Sequence, residues 1–183
     1  MKGRFTLFNG FLAVALVVAV AGCAMSEERK RKEELSTLRI HIEADRGSSD
    51  RASAIAVHRT NPLYLNIERE AVLDESNVSA ATVVDQPGGL FAIEVKLDRR
   101  GSWILERTTV MNKGKHLVVF SHFGDESRWI AAPEIFAKNS SGRLVFTPDA
   151  TREETVRIVR GLNNAAKKQE SQQWIPWEKS ADR

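Results

Sequence analysis

Ten residues near the N-terminus limit this chain more than any others. Phe11–Val20 spells FLAVALVVAV, without one polar side chain. Lys2 and Arg4 precede the run, and the small residues Ala21 and Gly22 lead from it to Cys23. A charged start, an apolar stretch of about 7–15 residues and a small-residue end form the secretory pattern. Residues 1–22 are therefore expected to direct export and be removed, leaving residues 23–183 to fold. An uncleaved membrane anchor is the rival reading, since Phe5 to Gly22 carries no charge over 18 residues, the lower edge of spanning length. Asn9-Gly10 interrupts that stretch, which favours a cleaved signal. Arg29–Lys32 complicates it, because positive charge prefers the cytoplasmic side.

Val20-Ala21-Gly22-Cys23 resembles the lipobox of bacterial lipoproteins, with Val where Leu is commoner. That resemblance implies cleavage between Gly22 and Cys23, and acyl chains on the new N-terminal cysteine. The implied partner is membrane lipid, reached through acylated Cys23. One chain anchors marginally and two or more anchor stably. As the single cysteine, Cys23 cannot close an internal disulfide. A lone cysteine is usually buried as a small hydrophobe, a fate that does not fit the end of an apolar run. Ala24 stands where an Asp would be the usual inner-membrane retention signal, so the resemblance favours the outer membrane over the inner if the cell has both.

The formal charge of the whole chain is +3, but Lys2 and Arg4 belong to the segment expected to be lost. The remainder holds 25 basic and 24 acidic residues, a formal charge of +1. That is no footprint for nucleic acid, which requires a basic patch or stripe. With 42% hydrophobic and 28% charged residues the chain is globular in composition.

Residues 24–36 are charged and lack an apolar face, so 23–36 are expected to be the lipidated cysteine and a spacer. A single domain is expected over 37–168. Alternation of apolar and polar residues predicts strands at 37–44, 52–59, 63–68 and 90–97. Residues 75–81 suggest one helical turn, with 82–85 extended after it, and Gln86-Pro87-Gly88-Gly89 is a turn. A helix is expected at about 102–112, with Gly114 suited to its C-cap. Strands at 116–121, 128–135 and 143–146 follow, although Pro133 confines the middle one to an edge or a strand end. Thr151-Arg152-Glu153-Glu154 matches a capping box. The helix it opens, about 152–168, places Val156, Val159 and Leu162 on one stripe. Residues 169–183 are polar apart from Trp174-Ile175-Pro176-Trp177 and are expected to be a tail. The order of elements implies an α+β fold, a mixed or antiparallel sheet with two main helices packed on one face.

From about Phe91 to Lys168 the chain resembles the periplasmic head subdomain of SecD/SecDF, the accessory subunit of the protein-export machinery. Four segments carry the resemblance. Lys96-Leu97-Asp98 leads to Gly101 and Arg107-Thr108-Thr109; Asn112-Lys113-Gly114-Lys115 precedes Leu117-Val118-Val119-Phe120. Ala131-Ala132-Pro133-Glu134-Ile135 is the third segment, and Gly142–Phe146 with Thr151-Arg152-Glu153-Glu154 the fourth. The family carries several transmembrane helices, and no comparable apolar segment follows residue 22. The resemblance thus implies a fold, with protein export as the associated process.

Chemistry-bearing constellations are sparse. His41, His58, His116 and His122 include no HExxH pair and no cysteine partner, and a strand holding the last two would separate them by about 20 Å at ~3.3 Å per residue. No G-x-S-x-G is present, and the serines sit in loops. Asp125-Glu126 belongs to a turn and Glu153-Glu154 to a first helical turn, where the dipole favours acids. No catalytic residue, metal or cofactor is expected. Trp103 on a helix and Trp129 on a strand are expected in the core. Trp174 and Trp177 are candidates for partner contact or for docking back on the domain. The reading is a membrane-anchored, non-catalytic envelope lipoprotein that binds another envelope or exported polypeptide. The alternative is a structural or envelope-homeostasis lipoprotein without a polypeptide client.

Overall fold

The computed structural model describes residues 29, 31, 33–45 and 52–173. Contacts divide the chain into two units, residues 1–34 and 35–183. Of the first, Arg29, Arg31 and Glu33 are helical and exposed. Cys23, Trp174 and Trp177 lie outside the described residues.

The second unit contains nine strands among the described residues, named here in chain order: β1 (Ser36–Ile42), β2 (Ala52–Val57), β3 (Leu63–Glu68), β4 (Leu73–Asp74), β5 (Val78–Asp85), β6 (Phe91–Leu97), β7 (Leu117–Phe123), β8 (Glu126–Ala131) and β9 (Arg143–Phe146). Two long helices accompany them, α1 (Arg99–Met111) and α2 (Arg152–Gln173). The expected α+β class holds. The strands form three sheets rather than one, ordered β4-β1-β7-β8, β2-β3 and β5-β6-β9. Every strand pairing is antiparallel.

The centre of the four-stranded sheet shows why three layers form. β1 and β7 pair along seven positions, from Ser36 opposite Phe123 to Ile42 opposite Leu117. Leu38, Ile40, Ile42, Leu117, Val119 and Phe123 all enter the main core. Val118 points the other way, into a smaller cluster with Val57 and Ile67 from the β2–β3 hairpin. Both faces of the sheet are thus buried. His41 lies on that second face, and its Nδ1 sits 2.9 Å from the Glu68 carbonyl. Its ring meets Trp129 edge-on at 5.2 Å.

α2 covers the main core with Thr155, Ile158, Val159, Leu162, Ala165 and Ala166. The predicted capping box is present: Thr151 Oγ1 accepts from the Glu154 amide at 3.2 Å, and Glu154 Oε2 accepts from the Thr151 amide at 2.7 Å. The helix continues to Gln173, past its expected end at 168. Val156 is 45% exposed, so it does not share the buried stripe. Val159 and Leu162 stay in it, with Ile158 and Ala166 beside them as expected and Ala165 added.

α1 begins at Arg99 rather than Ser102, because Asp98 supplies the cap: its carboxylate accepts from the Gly101 amide at 2.6 Å. Leu105, Thr108 and Thr109 face inward. Trp103 was expected in the core and is instead 62% exposed. It stands on the outer side of the helix, between the buried positions Gly101 and Leu105. The predicted helical turn at 75–81 shortens to a 3-10 turn over Glu75–Asn77, and β5 takes over from Val78. The turn expected at Asp125-Glu126 falls on Gly124-Asp125, because Phe123 and Glu126 are paired strand residues.

Candidate functional site

Open sheet edges carry rows of backbone donors and acceptors that invite another strand, so the way each edge is closed locates the places left for a partner. β4 is only two residues long. β5 is covered by α2, where the Asn163 side chain donates to the Ala81 carbonyl at 2.9 Å and accepts from the Ala81 amide at 2.8 Å. At β8, the Asp149 amide donates to the Ile130 carbonyl at 2.6 Å. β9 pairs with β6 on one side and, among the described residues, has no strand on the other.

A cleft of about 370 Å³ opens beside β9. Ala131, Ala132 and Pro133 line one wall, at the end of β8; Val145, Phe146 and Thr147 line the other, and His58 and Gln86 stand at the rim. Two of the segments that carry the family resemblance, 131–135 and 142–146, therefore meet across one opening. Val145 is 47% exposed beside it, while its strand neighbours Leu144 and Phe146 are buried. The alternation of β9 thus leaves an apolar side chain outside the core at this edge.

His58 has φ = 71°, the left-handed region that a non-glycine residue adopts only at a cost of about 1–3 kcal/mol. The next residue holds it there. The Arg59 amide donates to Asp149 Oδ2 at 2.8 Å, and the Arg59 Nε lies 3.4 Å from the same oxygen. Arg59 also approaches Glu154 at 3.8 Å, and Arg128 donates to Glu154 at 2.7 Å. Burial alone would raise the Glu154 carboxyl; the Thr151 amide and the guanidinium groups of Arg128 and Arg59 outweigh it and hold it below its ordinary value. Arg59, Arg128, Asp149 and Glu154 together fasten the β2–β3 hairpin's connection to β8 and to the start of α2.

Among the described residues, His58 is the only titratable side chain lining the cleft. No carboxylate, cysteine or lysine among the described residues lines the cleft beside it. The cleft offers an apolar wall, a hydroxyl, an amide and the β9 edge at Val145, beyond Arg143, whose amide and carbonyl are taken by Ser141 and Asn139; these suit binding an extended chain. The other histidines sit in separate contacts: His116 Nδ1 lies 2.7 Å from Glu43, and His122 Nδ1 lies 2.6 Å from Ser127 Oγ. No group of three potential metal ligands occurs among the described residues. Asp125 is in the hairpin turn, whereas Glu126 opens β8 and pairs with Arg128. No helix among the described residues is long and apolar enough to cross a membrane.

The cleft belongs to an antiparallel α+β module whose fold is SecDF-like. It is similar to the solved structure of "a membrane component SecDF that enhances protein export", with a TM-score of 0.54 and 16% identity, covering 76% of this chain and 67% of that one. It is also similar to SecDF in a "Super-membrane-facing form", with a TM-score of 0.53 and 16% identity, over 76% of this chain and 20% of that one. The chain thus spans a fifth of the length of that second structure. No family model matches the sequence, and no curated protein matches it. The resemblance read over 91–168 to the SecD/SecDF head holds at the level of fold, and the 76% coverage carries it beyond that stretch into the N-terminal strands.

The sequence did not point to the cleft itself. Its walls come from residues about 75 and about 90 positions from His58 at the rim, and no local pattern signals a left-handed histidine. Ala131-Ala132-Pro133 and Gly142–Phe146 were conspicuous as segments of the family resemblance, but nothing in the sequence set them on either side of one opening.

Proposed function

We propose that this chain is a lipid-anchored, non-catalytic accessory module of protein export that holds an extended segment of another polypeptide. The observation that carries the reading is the SecDF-like fold, because the similar protein is described as enhancing protein export. The cleft beside β9 supports it chemically. A chain in extended conformation can add to the β9 edge at Val145 through main-chain hydrogen bonds, with side chains meeting Ala132, Pro133 and Val145. Such recognition tolerates many sequences, as a module acting on diverse exported chains requires.

Anchoring rests on Val20-Ala21-Gly22-Cys23. Acylated Cys23 would hold the module at a membrane surface of the cell envelope, with the outer membrane favoured by Ala24, and residues 24–36 would give it reach. Intact mass of the membrane-extracted protein tests this half, with Cys23→Ser beside it. The expected mass lacks residues 1–22 and carries acyl chains, which the variant loses. Mild crosslinking of the full chain in cells, followed by copurification, tests the other half. Recovery of exported or envelope polypeptides is the expected result; recovery of none across several growth conditions contradicts it.

A further inference from the structure

α1 spans 13 residues and turns its buried side, Gly101, Leu105, Thr108 and Thr109, toward the core. On its outer side, at steps of three and four residues, stand Arg99, Arg100, Trp103, Arg107, Val110 and Met111, all exposed. Trp103, Val110 and Met111 expose 62%, 58% and 68% of their surface. The Arg107 guanidinium lies over the Trp103 ring at 5.7 Å. Glu106 is the helix's one acidic residue, and it is engaged by Lys138 at 2.6 Å. Among the described residues no carboxylate pairs with Arg99, Arg100 or Arg107.

Two features of this face work against the isolated domain. Arginines in a first helical turn oppose the positive end of the helix dipole, and the one acid at this end is the capping Asp98, which is bonded to the Gly101 amide. Three large apolar side chains on one face lose nothing to folding by being polar instead, yet they are not. Both features become favourable against one kind of surface. Anionic headgroups satisfy the unpaired arginines, while the indole and the two aliphatic side chains enter the boundary between headgroups and acyl chains.

We propose that the outer face of α1 docks on an anionic lipid bilayer, laying the domain against the membrane to which Cys23 tethers it. The inference rests on the anchoring reading above, since the tether keeps this face within reach of lipid. Docking is then a second, reversible contact beside the permanent one, and it is electrostatic enough to weaken with salt.

The test uses the full chain reconstituted in vesicles of phosphatidylcholine with or without phosphatidylglycerol. An environment-sensitive dye on Met111→Cys reports immersion, and brominated lipid quenches it on contact. The expected result is a blue-shifted, quenched dye on phosphatidylglycerol vesicles only. Replacing Arg99, Arg100 and Arg107 by Gln should lower the docked-to-free ratio about fivefold per arginine, from about 1 kcal/mol each. Circular dichroism confirms that these surface variants remain folded. A dye that stays in water on anionic vesicles overturns the proposal, as does a triple variant that docks like its parent. An equal response to soluble polyglutamate overturns lipid in favour of an acidic polypeptide. Intact mass reports the tether separately: acyl chains present with an undocked dye sinks the face and spares the anchor.

Discussion

Asn163 on α2 acts as a one-residue strand toward Ala81 of β5, accepting from its amide at 2.8 Å and donating to its carbonyl at 2.9 Å. The contact falls where the β5–β6 register shifts between Val78 and Ala80. It closes an edge that a bulge has already bent, and Ala81 is buried. Asn163→Leu should leave both backbone groups unpaired and cost about 2–4 kcal/mol. Denaturant unfolding checks this; a loss under about 0.5 kcal/mol, within the range of ordinary surface changes, would show that water replaces the side chain.

Gly161 lies where α2 crosses β1. A Cβ there would meet Ser36 Oγ at 2.2 Å and the Ser36 backbone nitrogen at 2.5 Å. Helix propensity favours alanine over glycine by about 1 kcal/mol, whereas forcing the elements apart costs about 1–3 kcal/mol. The close contact includes backbone and should win. Gly161→Ala is therefore expected to lower the melting temperature, and an unchanged or higher value would contradict the close crossing.

The depressed Glu154 carboxyl ties stability to pH. Because its folded value lies below its unfolded one, its contribution is complete above the ordinary glutamate range. It disappears as pH falls through the lower folded value. Glu154→Gln should flatten that part of the acid limb while costing about 1–2 kcal/mol at neutral pH, through the lost ion pairs with Arg128 and Arg59, since a Gln carbonyl still accepts from the Thr151 amide. Unfolding measured across acidic pH checks the slope; identical limbs in parent and variant would remove Glu154 from the account.

Trp103 contributes little to the core. At 62% exposure, with Arg107 as its ring partner, Trp103→Ala should change stability by no more than about 0.5 kcal/mol. Trp129→Ala should cost about 3 kcal/mol, because that ring packs on His41 and Phe120 beneath the β2–β3 hairpin. Equal losses at both positions would contradict the placement of the two rings.

These two tryptophans show what the sequence could and could not convey. Alternation placed β3 and β6 within a residue and β1 within two, because their apolar side chains recur at a period of two. Thr151 and Glu154 announced α2 by a local hydrogen-bond pattern that needs no tertiary context. Trp103 was misassigned because an aromatic on a helix signals burial only if that side of the helix meets the core. The side was decided by Gly101, Leu105, Thr108 and Thr109, three of which carry no large apolar group. The division into three sheets was illegible for a related reason: which strands pair depends on contacts between distant residues, such as Ile40 with Val119. The cleft was hidden likewise, since His58, Ala132 and Val145 become neighbours only in the folded chain.

Site-specific crosslinking at the cleft tests the central claim, that the module holds an extended exported chain beside β9, most directly. A photoreactive residue replaces Val145 in the full chain in cells carrying an export-arrested polypeptide, and a second variant carries it at exposed Tyr64 on the β2–β3 hairpin. The account predicts a crosslink from Val145 that disappears when the arrested chain is released, and little from Tyr64. Equal crosslinking from both positions, or none from Val145 in a folded and acylated protein, would contradict it.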